Sequence, residues 1–169
     1  MDNFVVENLG PIAKADVTFG DLTILTGPQA SGKTLFLETF KLVKDFTSIF
    51  SYFCDANYKI SDDSFFDFYY GDKMHKLVSK DFKAIYNKKK IHFSLSKELT
   101  EKDFEHYIAG LEITTVHYIP AQRSSALSEG RIKLSDDFVN SPYVLVKFSN
   151  YLQKYVTVFP ELLIRDMIK

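Results

Sequence analysis

The segment Gly27-Pro28-Gln29-Ala30-Ser31-Gly32-Lys33-Thr34 constrains this chain more than any other, because it joins an apolar run to an amphipathic helix pattern. Its spacing is G-x-x-x-x-G-K-[ST]. Glycines at such positions permit backbone dihedrals and close approaches that a Cβ forbids. The N–H groups of the loop converge on phosphate oxygens, and a helix opening near Lys33 adds the positive end of its dipole. Lys33 then serves as a point charge for β- and γ-phosphates, and the Thr34 hydroxyl as a ligand for Mg²⁺. All eight residues, Gly27, Pro28, Gln29, Ala30, Ser31, Gly32, Lys33 and Thr34, are candidate nucleotide-phosphate contacts, with Lys33 in the catalytic role.

The flanks agree with that placement. Phe4-Val5-Val6 and the alternation of Ala13, Ala15, Val17 and Phe19 with Lys14, Asp16 and Thr18 predict two short strands around the turn Asn8-Leu9-Gly10-Pro11. The alternation predicts an antiparallel pair with one wet face. Residues 21–26 read as a strand buried on both faces. After Thr34, the residues Phe36, Leu37, Phe40, Val43, Phe46, Ile49, Phe50 and Phe53 predict a long helix with a wide apolar stripe, with Glu38, Lys41, Lys44 and Asp45 largely off it.

Residues 55–110 are less legible. The acidic-aromatic stretch 62–70 reads as a strand, residues 73–87 carry helical spacing, 91–95 reads as a strand and 102–109 as a short helix. Ile113 to Ile119 is β-branched and stops at Pro120, which suggests a second central strand. Residues 145–155 are expected to be helical.

Length and composition exclude several classes. A chain of 169 residues is one domain's worth, and Lys+Arg 21 against Asp+Glu 22 leaves no overall basic footprint for nucleic acid. Cys54 stands alone and reads as a small buried hydrophobe, and His75, His92, His106 and His117 share no metal-ligand spacing. The N-terminus lacks the layout of a signal peptide, and no stretch reaches the ~18 apolar residues of a membrane span. The expected location is the cytoplasm.

The opening segments Phe4-Val5-Val6-Glu7-Asn8-Leu9-Gly10-Pro11-Ile12, Ala15-Asp16-Val17-Thr18-Phe19 and Leu22-Thr23-Ile24-Leu25-Thr26-Gly27-Pro28 resemble the start of ABC-type ATPase heads of the SMC and RecF group. That group includes the ATPases of overcoming-lysogenization-defect nucleases and related anti-phage defence proteins. The likeness covers about the first 45 residues well and 113–125 moderately. Leu9 stands where the family often has an aromatic, and Gln29-Ala30 where Asn-Gly is commoner. The resemblance implies an α/β P-loop NTPase fold, with a mostly parallel core sheet, flanking helices and a small N-terminal antiparallel β-layer. Tyr118-Ile119-Pro120-Ala121-Gln122-Arg123 is similar to the family's segment after its second core strand, which makes Gln122 the Q-loop residue at the Mg²⁺ or attacking water. A surface glutamine at a strand end is the alternative there, and Arg123 reads equally well as a structural ion-pairing residue.

Hydrolysis also needs a Walker B acid. Leu162-Leu163-Ile164-Arg165-Asp166 comes nearest, but Arg165 interrupts the strand and no Glu follows. The family order therefore implies that residues 1–125 form an N-terminal ATPase lobe and 126–169 the start of a helical insertion, within a larger ATPase. The implied ligands are ATP and Mg²⁺. The implied partners are the C-terminal half of the same ATPase, a second head, and DNA or a nuclease effector, with no membrane. Alone, the chain is expected to bind nucleotide weakly and hydrolyse it poorly. A P-loop kinase for a small molecule or nucleic acid, and a non-hydrolysing interaction module, are the alternatives; widely spaced Arg123, Arg131 and Arg165 speak against a kinase lid. Leu127-Ser128-Glu129-Gly130-Arg131 reads as a polar loop rather than an ABC signature. Lys88-Lys89-Lys90 reads as a solvated edge, and Asp62, Asp63, Asp67 and Asp72 as solvated turns.

Overall fold

Strand β1 (Asp2–Leu9) pairs antiparallel on both edges, with β2 (Ile12–Phe19) and β3 (Val78–Lys88). β3 pairs in turn with β4 (Ile91–Ser96), which makes a four-stranded sheet of order β2-β1-β3-β4. The computed structural model describes residues 2–49, 63–88, 91–96, 116–121, 126–128, 131–133 and 141–158.

The two-residue alternation decides which side of the sheet is dry. Phe4 and Val6 of β1 are fully buried, and their register partners Val17 and Ala15 on β2 and Tyr86 and Ala84 on β3 share that face. On the other face Glu7 meets its cross-strand partner Lys14 at 2.8 Å. The N-terminal hairpin with one wet face is thus as the sequence predicts. Its turn is anchored elsewhere: Asn8 and Gly10 take positive φ, the Gly10 amide donates to the Leu77 carbonyl (2.7 Å) and the Asn8 side-chain amide donates to the Asp81 carbonyl (3.0 Å).

Helix α1 (Lys33–Lys44) lies on the dry face. Phe36 and Phe40 meet Phe4 edge-on at 5.2 and 5.3 Å, and Phe40 also packs on Phe19 at 4.5 Å. Its opposite side carries α2 (Asp63–Tyr70), whose Tyr69 hydroxyl donates to the Glu38 carbonyl (2.9 Å) while Tyr70 shares a hydrogen bond with Thr39 (2.8 Å). α3 (Tyr143–Val158) closes the layer, with Tyr143 stacked on Tyr69 at 5.7 Å. α1 is therefore sandwiched, as its wide stripe implies. The helical turn continues at 46–49, and the expected remainder, with Phe50 and Phe53, lies outside the described residues.

Several sequence expectations need correction. The stretch 63–70 is a helix and not a strand, because Phe65, Phe66, Tyr69 and Tyr70 recur on one buried helical face. Residues 78–88 are a strand and not a helix, because Phe82, Ala84 and Tyr86 alternate into the core; a short 3₁₀ turn (Met74–Leu77) precedes them. The run 21–26 belongs to neither sheet, and Leu22 and Ile24 stand 80% and 73% exposed, with Leu25 packed against the core. A strand dry on both faces needs strand partners at its edges and a packed layer over each face, and the described residues give this run neither a partner nor cover for Leu22 and Ile24. The described part of the expected strand 113–119, residues 116–119, is also outside the sheets. Every strand pair among the described residues is antiparallel. The expected helix 102–109, Cys54, and residues 159–169 with the near-Walker B segment lie outside the described residues. Where the sequence reads as a polar loop, β5 (Leu127–Ser128) and β6 (Arg131–Ile132) instead pair antiparallel. Among the described residues no helix is long and apolar enough to cross a membrane.

Residue 116 is held by side chains instead. The Lys41 ammonium donates to the Val116 carbonyl (2.7 Å), the Val116 amide donates to Asp45 Oδ1 (2.7 Å), and Lys41 and Asp45 also pair with each other through Asp45 Oδ2. Both side chains are buried, although they stand off the apolar stripe of the helix. Each charge has left water and each has its partners, which is the condition for tolerating such a pair. Removing one partner strands the other. Asp45→Ala should lose about 3–5 kcal/mol of stability in urea unfolding, whereas the apolar double replacement Lys41→Met/Asp45→Leu should recover part of that loss. Equal stabilities for Asp45→Ala and the parent chain would refute the clamp.

Candidate phosphate-binding site

The loop between Gly27 and Thr34 is built from unusual backbone conformations. Gly27, Ala30 and Gly32 have φ of 147°, 61° and 90°. The glycine at 32 is required twice over: a Cβ there would come within 2.6 Å of Ile12 Cγ1 and 3.2 Å of Pro11 Cγ, on top of the positive φ. The hairpin turn of the sheet thus abuts the loop. Ala30 adopts the left-handed conformation in spite of its methyl group, which makes it the strained member of the loop.

Gly32 is the N-cap of α1, and its carbonyl accepts the first helical bond, from Phe36 N at 2.8 Å. No acidic residue stands in the first turn of α1, so its positive end is not neutralised from within the helix. The Lys33 ammonium turns back over the loop and donates to the carbonyls of Gly27 (2.9 Å) and Pro28 and to Ser31 Oγ (3.1 Å). One cation therefore gathers the first and last parts of the motif.

Ala30, Ser31, Gly32, Lys33 and Thr34 line a cavity of about 650 Å³. Gly27 and Pro28 contribute carbonyls behind it, and Gln29 is exposed. The described chain reaches the same cavity at Pro120, while Gln122 and Arg123 lie outside the described residues. The far walls come from Tyr70, Met74 and Leu77 on one side and from residues 141, 142, 144 and 145 on the other.

Glu38, one helical turn beyond Thr34, lines this cavity and is only 8% exposed. In the sequence it stands only as a polar residue off the apolar stripe, and its spacing of one helical turn from Thr34 is the signal that marks it. Tyr118 donates to Glu38 Oε1 at 3.3 Å, and the second carboxyl oxygen has no hydrogen-bond partner among the described residues. Burial raises the Glu38 pKa from 4.5 to about 7, with the Tyr118 bond pulling the other way. Burial and the neighbouring Glu38 charge push the Tyr118 hydroxyl up as well.

The remaining polar clusters read as structural. Asp67 accepts from the His75 amide and pairs with the His75 ring at 2.7 Å; the hydrogen bonds from His75 hold its carboxyl below the usual range against the opposing effect of desolvation. Among the described residues no three His, Cys, Asp or Glu side chains converge as a metal centre. No family model, curated protein or solved structure matches this chain.

Two outcomes follow. Ala30→Gly should raise stability by about 0.5–1 kcal/mol in urea unfolding, since relief of the left-handed strain exceeds the added freedom of the unfolded chain. For Glu38, folded and unfolded chains are both protonated well below pH 4.5. As pH rises from there to about 7 the unfolded chain gives up its proton and the folded chain keeps it, so stability falls. The full loss is ~3 kcal/mol. Glu38→Gln removes this titration, so its melting temperature should gain on that of the parent chain between about pH 5 and about pH 8. A difference that stays constant with pH would contradict the buried carboxyl.

Proposed function

We propose that this chain binds the phosphates of a nucleoside triphosphate with Mg²⁺ through residues 27–34, as the N-terminal part of an ABC-type ATPase head. The observation that carries the reading is the shared wall of one cavity: Lys33 and Thr34 line it together with the loop residues Ala30, Ser31 and Gly32, at the un-neutralised start of α1. Positive charge, amide donors and a hydroxyl at one helix start are what polyphosphate recognition requires.

The residues fit Mg²⁺ that arrives with its phosphates. Mg²⁺ keeps several waters and takes few protein ligands, so a single hydroxyl from Thr34 beside phosphate oxygens suffices. Bound there, the ion would neutralise charge on the transferred phosphoryl group. Lys33 holds the polyphosphate, and the loop's glycines let the backbone approach it. Gln122 in this reading contacts the ion or the attacking water. ATP as the nucleotide, hydrolysis by the complete head, its cytoplasmic location, the pairing of two heads and work on DNA or a nuclease effector all belong to the same proposal, and they rest on the sequence resemblance.

Equilibrium binding of ATP, with and without Mg²⁺, tests the reading. Lys33→Ala should weaken binding on the order of tenfold or more, and Thr34→Val should abolish the gain from Mg²⁺ while leaving Mg²⁺-free binding in place. Because Lys33 also ties its own loop together, unfolding curves of both variants accompany the titrations. Turnover of ATP should be negligible. Binding indifferent to Lys33 would sink the proposal, and robust turnover would mean that the chain carries an acid this reading lacks.

A further inference from the structure

The cavity beside the phosphate loop is larger than a phosphate needs and is of a different character. Its volume of about 650 Å³ lies in the range of small-molecule sites, and beyond the loop its walls are apolar, with Met74, Leu77, Pro142, Val144 and Leu145 around the ring of Tyr70. One ionisable group of opposite character to the rim is set into it. Glu38 is more than nine-tenths buried, lines the space, and presents a carboxyl oxygen with no partner among the described residues.

We propose that this cavity seats the nucleoside end of the ligand whose phosphates lie on residues 27–34, and that Glu38 is a specificity-determining residue that accepts a hydrogen bond from the nucleoside. The proposal rests on the phosphate-binding reading above and adds the site for the rest of the molecule. The layout divides the labour by chemistry. Cationic and amide donors stand at the loop, where the ligand is anionic; aliphatic and thioether surface stands where a flat base would bury its faces; one acceptor stands where an N–H or O–H would otherwise lose its partner on leaving water. Tyr118 holds one oxygen of the carboxyl in place, so the other has a fixed direction.

The experiment compares ATP with inorganic tripolyphosphate on the parent chain, Glu38→Leu, Glu38→Gln and Lys33→Ala. The parent chain should prefer ATP over tripolyphosphate by about tenfold or more. Glu38→Leu should erase that preference while leaving tripolyphosphate affinity unchanged, and that unchanged affinity also certifies that the variant folds. Glu38→Gln, whose carbonyl oxygen engages Tyr118 so that an N–H donor faces the nucleoside, should lose the preference as Glu38→Leu does. ATP analogues lacking either the 6-amino group or both ribose hydroxyls identify the donor, because the matching analogue should bind Glu38→Leu and the parent chain alike. Equal affinity of the parent chain for ATP and tripolyphosphate, or a preference that survives Glu38→Leu, would overturn the proposal while Lys33-dependent binding of both ligands kept the phosphate site. Binding of neither ligand through Lys33 would overturn both.

Discussion

The buried pair of Lys41 and Asp45 is the interaction on which the arrangement around α1 depends. Between them they satisfy both backbone polar groups of Val116, a task that sheet partners ordinarily perform. The segment that follows is thereby fixed against the helix. Tyr118 then reaches the Glu38 carboxyl, and Pro120 reaches the cavity wall. Two charges withdrawn from water thus set the position of a chain segment more than 70 residues away in sequence. Their own ion pair makes that withdrawal tolerable.

α1 is the element that connects everything else. Its N-terminus carries the phosphate loop, its aromatic side chains bury the dry face of the sheet, and its opposite side receives two tyrosine hydroxyls from α2. A helix held on so many sides is a rigid mount, which suits a loop whose value lies in the placement of its N–H groups. The sheet contributes from the other direction, through the contact of Pro11 and Ile12 with Gly32.

The parts of this fold legible in the sequence are those whose signals are local. The β1–β2 hairpin follows from alternation over Ala13 to Phe19 and a turn at Asn8 and Gly10, and the phosphate loop from eight adjacent residues. The sequence misleads at α2 and β3 because each contains spacings that suit both periods: the aromatic run Phe65 to Tyr70 has the β propensity of a strand, and Val78, Phe82 and Ile85 mimic a helical face. β3 is fixed by its pairing with β1, far earlier in the chain, and Phe66 of α2 then packs against Phe82 on the strand so placed. Glu38, Lys41 and Asp45 were hidden for a related reason. Their partners Val116 and Tyr118 come some 70 to 80 residues later, so on the helix alone they read only as polar residues off the apolar stripe.

The contact between Gly32 and Ile12 also bears on how such a chain can change over generations. Positions 12 and 32 are coupled, but unequally. Shrinking Ile12 opens space without harm to the loop, whereas any side chain at 32 meets the sheet and a backbone conformation that it resists. Drift can therefore pass through position 12 and return, while position 32 is closed in both backgrounds. The phosphate loop is guarded against substitution by the hairpin turn beside it, whatever ligand is present to select for it.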